Sequence, residues 1–252
     1  MESEFQIITT EDGSPSVTWT NADGLSESMH NKKGALSESL FIYHHAISLV
    51  TNKGWTPRFL SVGLGLGYNE LIICGHCLQH RIPLAEVSIR SFESSAFLRQ
   101  NFLDWLQGKA PNKSQLDWWK LYYDITESIS KHFGTSSTEV KKYLAGLLML
   151  GQWELSKELT PQTVFTETYS AILFDAFSSQ VSPALWSEEF LSGFIFDAAS
   201  PNCVFVTYAA KGTLNRALRQ HGFIMEEQQG FGGKRQSTFA LRVANSLTAK
   251  PL

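Results

Sequence analysis

An α/β fold with a mostly parallel sheet and helices on both faces is what this sequence predicts. Three observations carry it. Strand-like and helix-like segments alternate over some 180 residues, the pattern of repeated β-α-β units. The first unit, Phe59–Leu71, passes from a run of apolar residues through Gly63, Gly65 and Gly67 into a helical stretch at Tyr68. Several predicted strands end in a polar or acidic residue, which places chemistry along one rim of the sheet.

The glycine turn is the sharpest of the three. Five of the six residues Phe59–Leu64 are apolar or glycine, as in a buried strand. A tight strand-to-helix turn made of glycines lets bare backbone N–H groups approach a ligand, or supplies a positive φ that the turn requires. A nucleoside-containing cofactor is the expectation.

The other elements follow in order. Residues 5–20 read as two strands around the turn Asp12-Gly13-Ser14-Pro15. Residues 24–40 are polar. A helix is predicted from Leu36 to Val50, with Leu36, Leu40, Tyr43, Ile47 and Val50 on one face. After strand 59–63 come helix 68–80, strand 86–93 ending in Glu93, and a helix to Leu106. Residues 107–145 hold Trp118, Trp119, Tyr122, Tyr123 and Tyr143 among charges, which reads as a helical insertion because linkers are not rich in aromatics. Leu144–Leu150 is a third strand candidate whose composition suits helix equally. Strand 171–177 carries Asp175, helix 188–199 follows, then strand 203–208 ending in Tyr208. Helix 213–221 stops at Gly222, and 223–228 with 237–243 form a terminal strand pair. Residues 1–50 are expected to pack as a strand-helix extension on a core of 51–252. Gly63–Gly67, Glu93, Gln152, Asp175 and Tyr208 should then share one rim.

Composition narrows the class. The 252 residues are 43% hydrophobic and 12% aromatic, enough for a large core. Net charge is -3, so no bulk basic character points to extended nucleic-acid binding. No apolar run reaches the length of a membrane span, and the polar start Met1–Gly13 lacks a signal-peptide pattern, so a cytoplasmic location is expected. Cys74 and Cys77 form Cys-Gly-His-Cys, but they fall inside a helix rather than at its N-terminus, where a reactive thiol would sit. A zinc reading would use Cys74, Cys77 and His80, or add His76, but a structural site takes four ligands and the only other cysteine, Cys203, is distant. Small residues packing one helix face is the plainer reading, and no metal is expected.

The cofactor question lies between a dinucleotide and S-adenosylmethionine. A G-x-G-x-x-G fingerprint would put its third glycine at position 68, which is Tyr68, and its acid about 20 residues on; Glu93 lies 28 residues after Gly65. S-adenosylmethionine has no pyrophosphate to accommodate. Its ribose hydroxyls suit a carboxylate at the second strand end, and its amino-acid portion suits glycine-loop amides. The residues favour the methyl donor and leave a nicotinamide oxidoreductase as an alternative.

Four segments resemble one family. They are Glu27-Ser28-Met29-His30 with Gly34–Ser39; Gly63-Leu64-Gly65; Asp175-Ala176-Phe177 followed by Ser182–Trp186; and Thr207–Gly212 with Gly230–Arg235. Their order and spacing are similar to the MnmC/MnmD methyltransferases, which modify the tRNA wobble uridine, in the stand-alone form without a flavin-dependent oxidase domain. The resemblance covers residues 20–243. It implies a class I S-adenosylmethionine-dependent fold, Rossmann-like, with a seven-stranded sheet whose last strand is antiparallel. It implies methylation of 5-aminomethyl-(2-thio)uridine in the tRNA anticodon loop, with a separate FAD-dependent or other upstream enzyme preparing that base. Carried over, Gly63 and Gly65 hold the methionine part of the donor, with Gly67 beside them among the cofactor contacts, Glu93 takes the ribose, and Asp175, also a cofactor contact, faces the substrate amine as the catalytic residue. Gly151-Gln152 stands where the family commonly has Gly-Asp, so Gln152 is expected at the adenine amino group. Ser178, Ser179 and Gln180 stand where many members carry Pro and Lys. Phe177, Trp186, Tyr208, Lys211, Phe231, Lys234 and Arg235 are candidates for substrate contact, the aromatics by stacking on a splayed base and the basic residues by binding phosphate. Taken singly, Trp186 fits a core position better than a stacking platform. A methyltransferase for a small amine and a silent cofactor-binding protein of the same fold are the remaining alternatives.

Overall fold

The structure is a computed structural model that describes residues 4–233 and 236–244. Strands β1 (Glu4–Thr9), β2 (Pro15–Thr20) and β3 (Ser26–Ser28) form an antiparallel sheet in the order β1-β2-β3. The expected hairpin is present; β3, in the polar stretch, was not foreseen. Asp12 at the hairpin tip explains the next step. Its carboxylate accepts hydrogen bonds from the Ser37 N–H and hydroxyl at 3.0 and 2.6 Å, tying the hairpin to the following helix. Those hydroxyl and backbone donors hold Asp12 well below the usual carboxylate range, against the opposing effect of burial.

That helix runs as α1 (Ala35–Ser39), a π-turn (Leu40–His44) and α2 (His45–Asn52). Ile42, Tyr43, Ala46, Ile47 and Val50 are buried.

The main sheet has seven strands: β4 (Arg58–Val62), β5 (Ser88–Phe92), β6 (Trp153–Ser156), β7 (Tyr169–Phe174), β8 (Ala199–Thr207), β9 (Ile224–Gln228) and β10 (Ser237–Arg242), in spatial order β6-β5-β4-β7-β8-β10-β9. β4 pairs in parallel with β5 and β7, and β5 with β6. β10 runs antiparallel to both β8 and β9. The predicted class I arrangement with an antiparallel last strand is therefore what forms. The order reverses at β4, where β5 departs to one side and β7 to the other; ligands bind at such switch points.

Helices α3 (Tyr68–Gln79), α4 (Ala96–Leu106), α5 (Leu116–Phe133) and α6 (Ser137–Met149) pack with α1 and α2 in the larger apolar core. α7 (Glu188–Ala198) and α8 (Gly212–Gln220) build a second core on the other face. Cys74 and Cys77 are buried within α3, and burial pushes the Cys77 thiol up to about 12, so both serve as small apolar groups.

One boundary differs from expectation with consequences for the site. Leu144–Leu150 is not a strand. Ser136 and Glu139 form a reciprocal capping box that starts α6, and the helix continues to Met149, with Gly151 at φ 69° just beyond it. The third parallel strand begins only at Trp153. Gln152 thus precedes β6, at the amino end of the sheet.

Candidate functional site

A cavity of about 950 Å³ opens at the carboxyl ends of the parallel strands. Its floor is the glycine turn from Gly63 to Leu66. One side is Phe92-Glu93-Ser94, another Glu158–Pro161 after β6, and a third Asp175–Phe177 with Tyr208. Glu27–His30 beside β3, together with Glu38 and Tyr43, closes the remaining wall. The N-terminal sheet is therefore part of the site.

The glycines have distinct reasons. Gly63 has φ 93°, and a Cβ there would lie 2.4 Å from the Asp175 carbonyl oxygen. Its absence lets the tips of β4 and β7 close on each other. Gly65 has φ 52° and a Cβ would only touch the Met29 sulfur at 3.4 Å, so the space beside it belongs to the cavity. Gly67 does not line the cavity. It caps α3 in the left-handed region, and a Cβ would collide with the Phe102 ring at 2.2 Å. Its glycine serves helix packing rather than ligand approach, which corrects its expected place among the cofactor contacts.

Glu93 is knitted to this turn. Its Oε2 accepts the Gly65 N–H at 2.9 Å and its Oε1 the Ser95 N–H at 2.8 Å. Burial raises its pKa, with these donors opposing. A carboxylate offers about four lone-pair positions, so each oxygen retains capacity for a ligand hydroxyl. The glycine turn, the carboxylate and a cavity of this size fit a nucleoside with an amino-acid arm.

Asp175 follows β7 directly, and its N–H donates to the Val62 carbonyl at 2.8 Å. The Tyr43 hydroxyl donates to its Oδ1 at 2.5 Å, and the Asn69 amide to its Oδ2 at 3.3 Å. Burial pushes this carboxyl up to about 7, with Glu38 and Glu70 adding like charge and the Tyr43 and Asn69 donors working the other way. It therefore exchanges a proton near neutrality, as a group that handles protons at working pH should. Beneath the turn, Glu70 is fully buried, accepts the Ser91 hydroxyl at 2.7 Å and is also pushed up to about 7 by desolvation.

The loop after Asp175 is held residue by residue. The Tyr208 hydroxyl donates to the Ala176 carbonyl at 2.9 Å, and the Trp186 indole to the Phe177 carbonyl at 2.8 Å. Glu27 accepts the Ser178 N–H and hydroxyl at 3.0 and 2.7 Å, and the Lys211 ammonium donates to Ser179 at 2.9 Å. Of the expected substrate contacts, Phe177 and Tyr208 line the cavity, Phe177 packing on Trp19 at 5.5 Å. Trp186 does not: it is 4% exposed, stacked edge-on to Phe174, and its role is to fix the loop. Lys211 likewise meets the loop, and Phe231 packs on Phe41 at 5.9 Å, away from the cavity. Lys234 and Arg235 lie outside the described residues. Gln152 lines a separate recess with Trp55, Arg58 and Glu86, because α6 runs past the expected strand. The residues that line the cavity after β6 are Glu158–Pro161, and Glu158 is the acid among them.

Sequence reading missed Tyr43, Asn69 and Glu158. Tyr43 sits on an apolar helix face and so reads as core. Asn69, two residues after Gly67, had a positional signal in the first turn of α3.

Residues 131–243 match the family described as S-adenosyl-L-methionine-dependent methyltransferase. An uncharacterized protein of Methanocaldococcus jannaschii is 25% identical over 245 residues, 97% of this chain and 62% of that one. The tRNA 5-methylaminomethyl-2-thiouridine biosynthesis bifunctional protein MnmC of Vibrio campbellii is 23% identical over 179 residues, 69% of this chain and 26% of its own length. The chain thus spans under two thirds of these relatives. The solved structure of MnmC2 from Aquifex aeolicus shares the fold at TM-score 0.62 and 22% identity, covering 97% of this chain and 72% of that one. The seven-stranded sheet has the class I methyltransferase fold, and the matched residues, under half of the chain, are similar to S-adenosyl-L-methionine-dependent methyltransferases. Its relatives of that name make it similar to the MnmC proteins, the resemblance its motifs indicated. No helix among the described residues is long and apolar enough to cross a membrane.

Proposed function

We propose that the chain methylates the amine of 5-aminomethyl-(2-thio)uridine at the tRNA wobble position, in the cytoplasm. The observation that carries the reading is Asp175, a half-buried carboxyl poised near neutrality at the wall of a cavity whose floor suits the methyl donor. The names of the bacterial relatives support the choice of substrate.

S-adenosylmethionine would supply an electrophilic methyl on a sulfonium sulfur. The Gly63–Gly65 backbone would hold its amino-acid end, Glu93 its ribose, and Glu158, in place of Gln152, its adenine amino group. The nucleophile must be a neutral amine. An alkylamine titrates near 10.4, so neutrality at pH 7 costs about 5 kcal/mol at 1.36 kcal/mol per unit. Asp175 orients the amine through its lone pairs. As nitrogen bonds to the methyl carbon and the carbon–sulfur bond breaks, the proton shed by nitrogen passes to Asp175 or through it to water. Alignment lowers the barrier further. Phe177 offers an aromatic face to a splayed base, and the exposed Lys32 and Lys33 at the cavity mouth offer phosphate contacts.

The test is transfer of a labelled methyl group into tRNA carrying the unmethylated aminomethyl base. Wild type should label it and Asp175→Asn should lose at least a hundredfold in turnover while binding S-adenosylhomocysteine normally. Label entering small amines but never tRNA would move the function to a small-molecule methyltransferase.

A further inference from the structure

Tyr43 is 2% exposed, far from Asp175 in sequence, and brought to it by a π-turn. Such a turn widens one helical turn and re-aims the side chains it carries, and it occurs often at functional sites. Here the phenol is aimed along the cavity wall at one carboxylate oxygen. Burial and the neighbouring Asp175 charge raise the Tyr43 hydroxyl well above its ordinary range, so it remains a donor. The two oxygens of Asp175 are unequally engaged: 2.5 Å from the phenol on Oδ1, 3.3 Å from the Asn69 amide on Oδ2.

We propose that Tyr43 is a positioning residue: it caps Oδ1 of Asp175, fixes the plane of the carboxyl group, and leaves Oδ2 as the oxygen presented to the nucleophile. The role in turnover rests on the reading of Asp175 given above; the capping itself does not. The asymmetry has a chemical purpose. A carboxylate with both oxygens free can rotate and bind an ammonium in either of two poses, neither aligned for displacement. With one oxygen committed, the remaining lone pairs of Oδ2 point in a defined direction, and the phenol stabilises the charged form that must accept the proton.

Groups on every adjacent element bear on the titration. Glu38 stands on α1 with Tyr43 close behind it in the π-turn; Asn69 and Glu70 stand on α3; Tyr208 follows β8, and its hydroxyl is itself raised by burial and by the Asp175 charge. Glu38 and Glu70 disfavour the carboxylate, whereas Tyr43 and Asn69 favour it. Removing the Tyr43 hydroxyl should therefore raise the midpoint of Asp175. Loss of one hydrogen bond to a charged group corresponds to a rise of about one to two pH units.

The experiment uses Tyr43→Phe in the full chain, which keeps the ring and its packing. Carboxyl-carbon NMR of ¹³C-labelled protein, assigned with Asp175→Asn, reads the titration of Asp175 without any substrate. The expected result is an upward shift of the midpoint by about one to two pH units. The acidic limb of kcat for methyl transfer to aminomethyl tRNA should move by the same amount, with KM for S-adenosylmethionine unchanged. An unmoved NMR midpoint overturns the proposal, whatever the activity. Should Asp175→Asn keep full turnover while Tyr43→Phe shifts the midpoint, the capping stands and the functional reading of Asp175 fails. If Tyr43→Phe fails to fold, Asn69→Ala on the opposite oxygen must give a smaller shift than the one to two units assigned to Tyr43; an equal or larger one overturns the asymmetry.

Discussion

Replacing Gly63 by alanine tests the closure of the site at its tightest point. The residue sits at φ 93°, and the new Cβ would lie 2.4 Å from the Asp175 carbonyl oxygen and 3.0 Å from its carbon. An L-residue forced into the left-handed region costs about 1–2 kcal/mol. The contact is with backbone, which no rotamer change relieves, so the tips of β4 and β7 must separate by about 1 Å to reach ordinary contact near 3.4 Å. That motion stretches the bond from the Asp175 N–H to Val62, now 2.8 Å, which contributes about 1 kcal/mol. The sum is about 2–3 kcal/mol, or a melting temperature lower by roughly 4–12 °C for a chain of this size. Displacing Asp175 by about 1 Å should also cost on the order of a hundredfold in turnover. Gly54→Ala is the control: its φ is 64° and nothing lies within 4 Å of the new Cβ, so it carries the backbone strain without the collision. Thermal melts by circular dichroism and methyl-transfer assays compare the two. If Gly63→Ala melts with Gly54→Ala and turns over normally, the argument that glycine here serves close approach of the strand tips is wrong.

Glu93→Gln should weaken S-adenosylhomocysteine binding by about tenfold or more, the worth of a hydrogen bond to a charged group, whereas Gln152→Ala should leave it within about twofold; calorimetry that found equal losses would return Gln152 to the donor site. Glu70→Gln addresses pH. The folded-state pKa of Glu70 is raised from 4.5 to about 7, so the fold favours its neutral form, and the stabilisation present below pH 4.5 is lost as pH rises toward 7. Glutamine removes that dependence. Asp175, also raised to about 7, lowers stability over the same window in both proteins, so urea unfolding at pH 5 and pH 8 should show a wild-type drop larger than the variant's by about 2–3 kcal/mol at 1.36 kcal/mol per unit. A parallel pH dependence in the two proteins would refute the buried-acid account.

The parts of the site that were readable share one property: each is local. Gly63 and Gly65, Glu93 and Asp175 stand at or just past the ends of strands whose apolar runs are unambiguous, so their shared rim follows from a parallel sheet alone. The error at Gln152 arose where local signals conflict. Leu144–Leu150 suits strand or helix by composition, and the capping box of Ser136 and Glu139, together with packing of α6 on α3 and its flank, decided for helix. Gly146 on α6 meets Leu84, a contact no periodicity shows. The strand moved a few residues along the chain, and Gln152 moved to the opposite end of the sheet.

Trp186, Lys211 and Phe231 show a different limit. Their chemistry suits RNA contact, but a side chain's partner is set by what the fold places beside it, and here that is the loop after Asp175 or an apolar neighbour. By itself the sequence determined most of the alternation of strands and helices, the glycine turn, and the two acids at strand ends, because hydrophobic period and glycine conformation act within a few residues. Only the tertiary structure decided that Tyr43 and Asn69 grip Asp175, that Glu27 reaches across to Ser178, and that Glu158 rather than Gln152 enters the cavity. Those contacts join residues far apart in the chain, and their energy comes from burial and directed hydrogen bonds that exist only once the layers have packed.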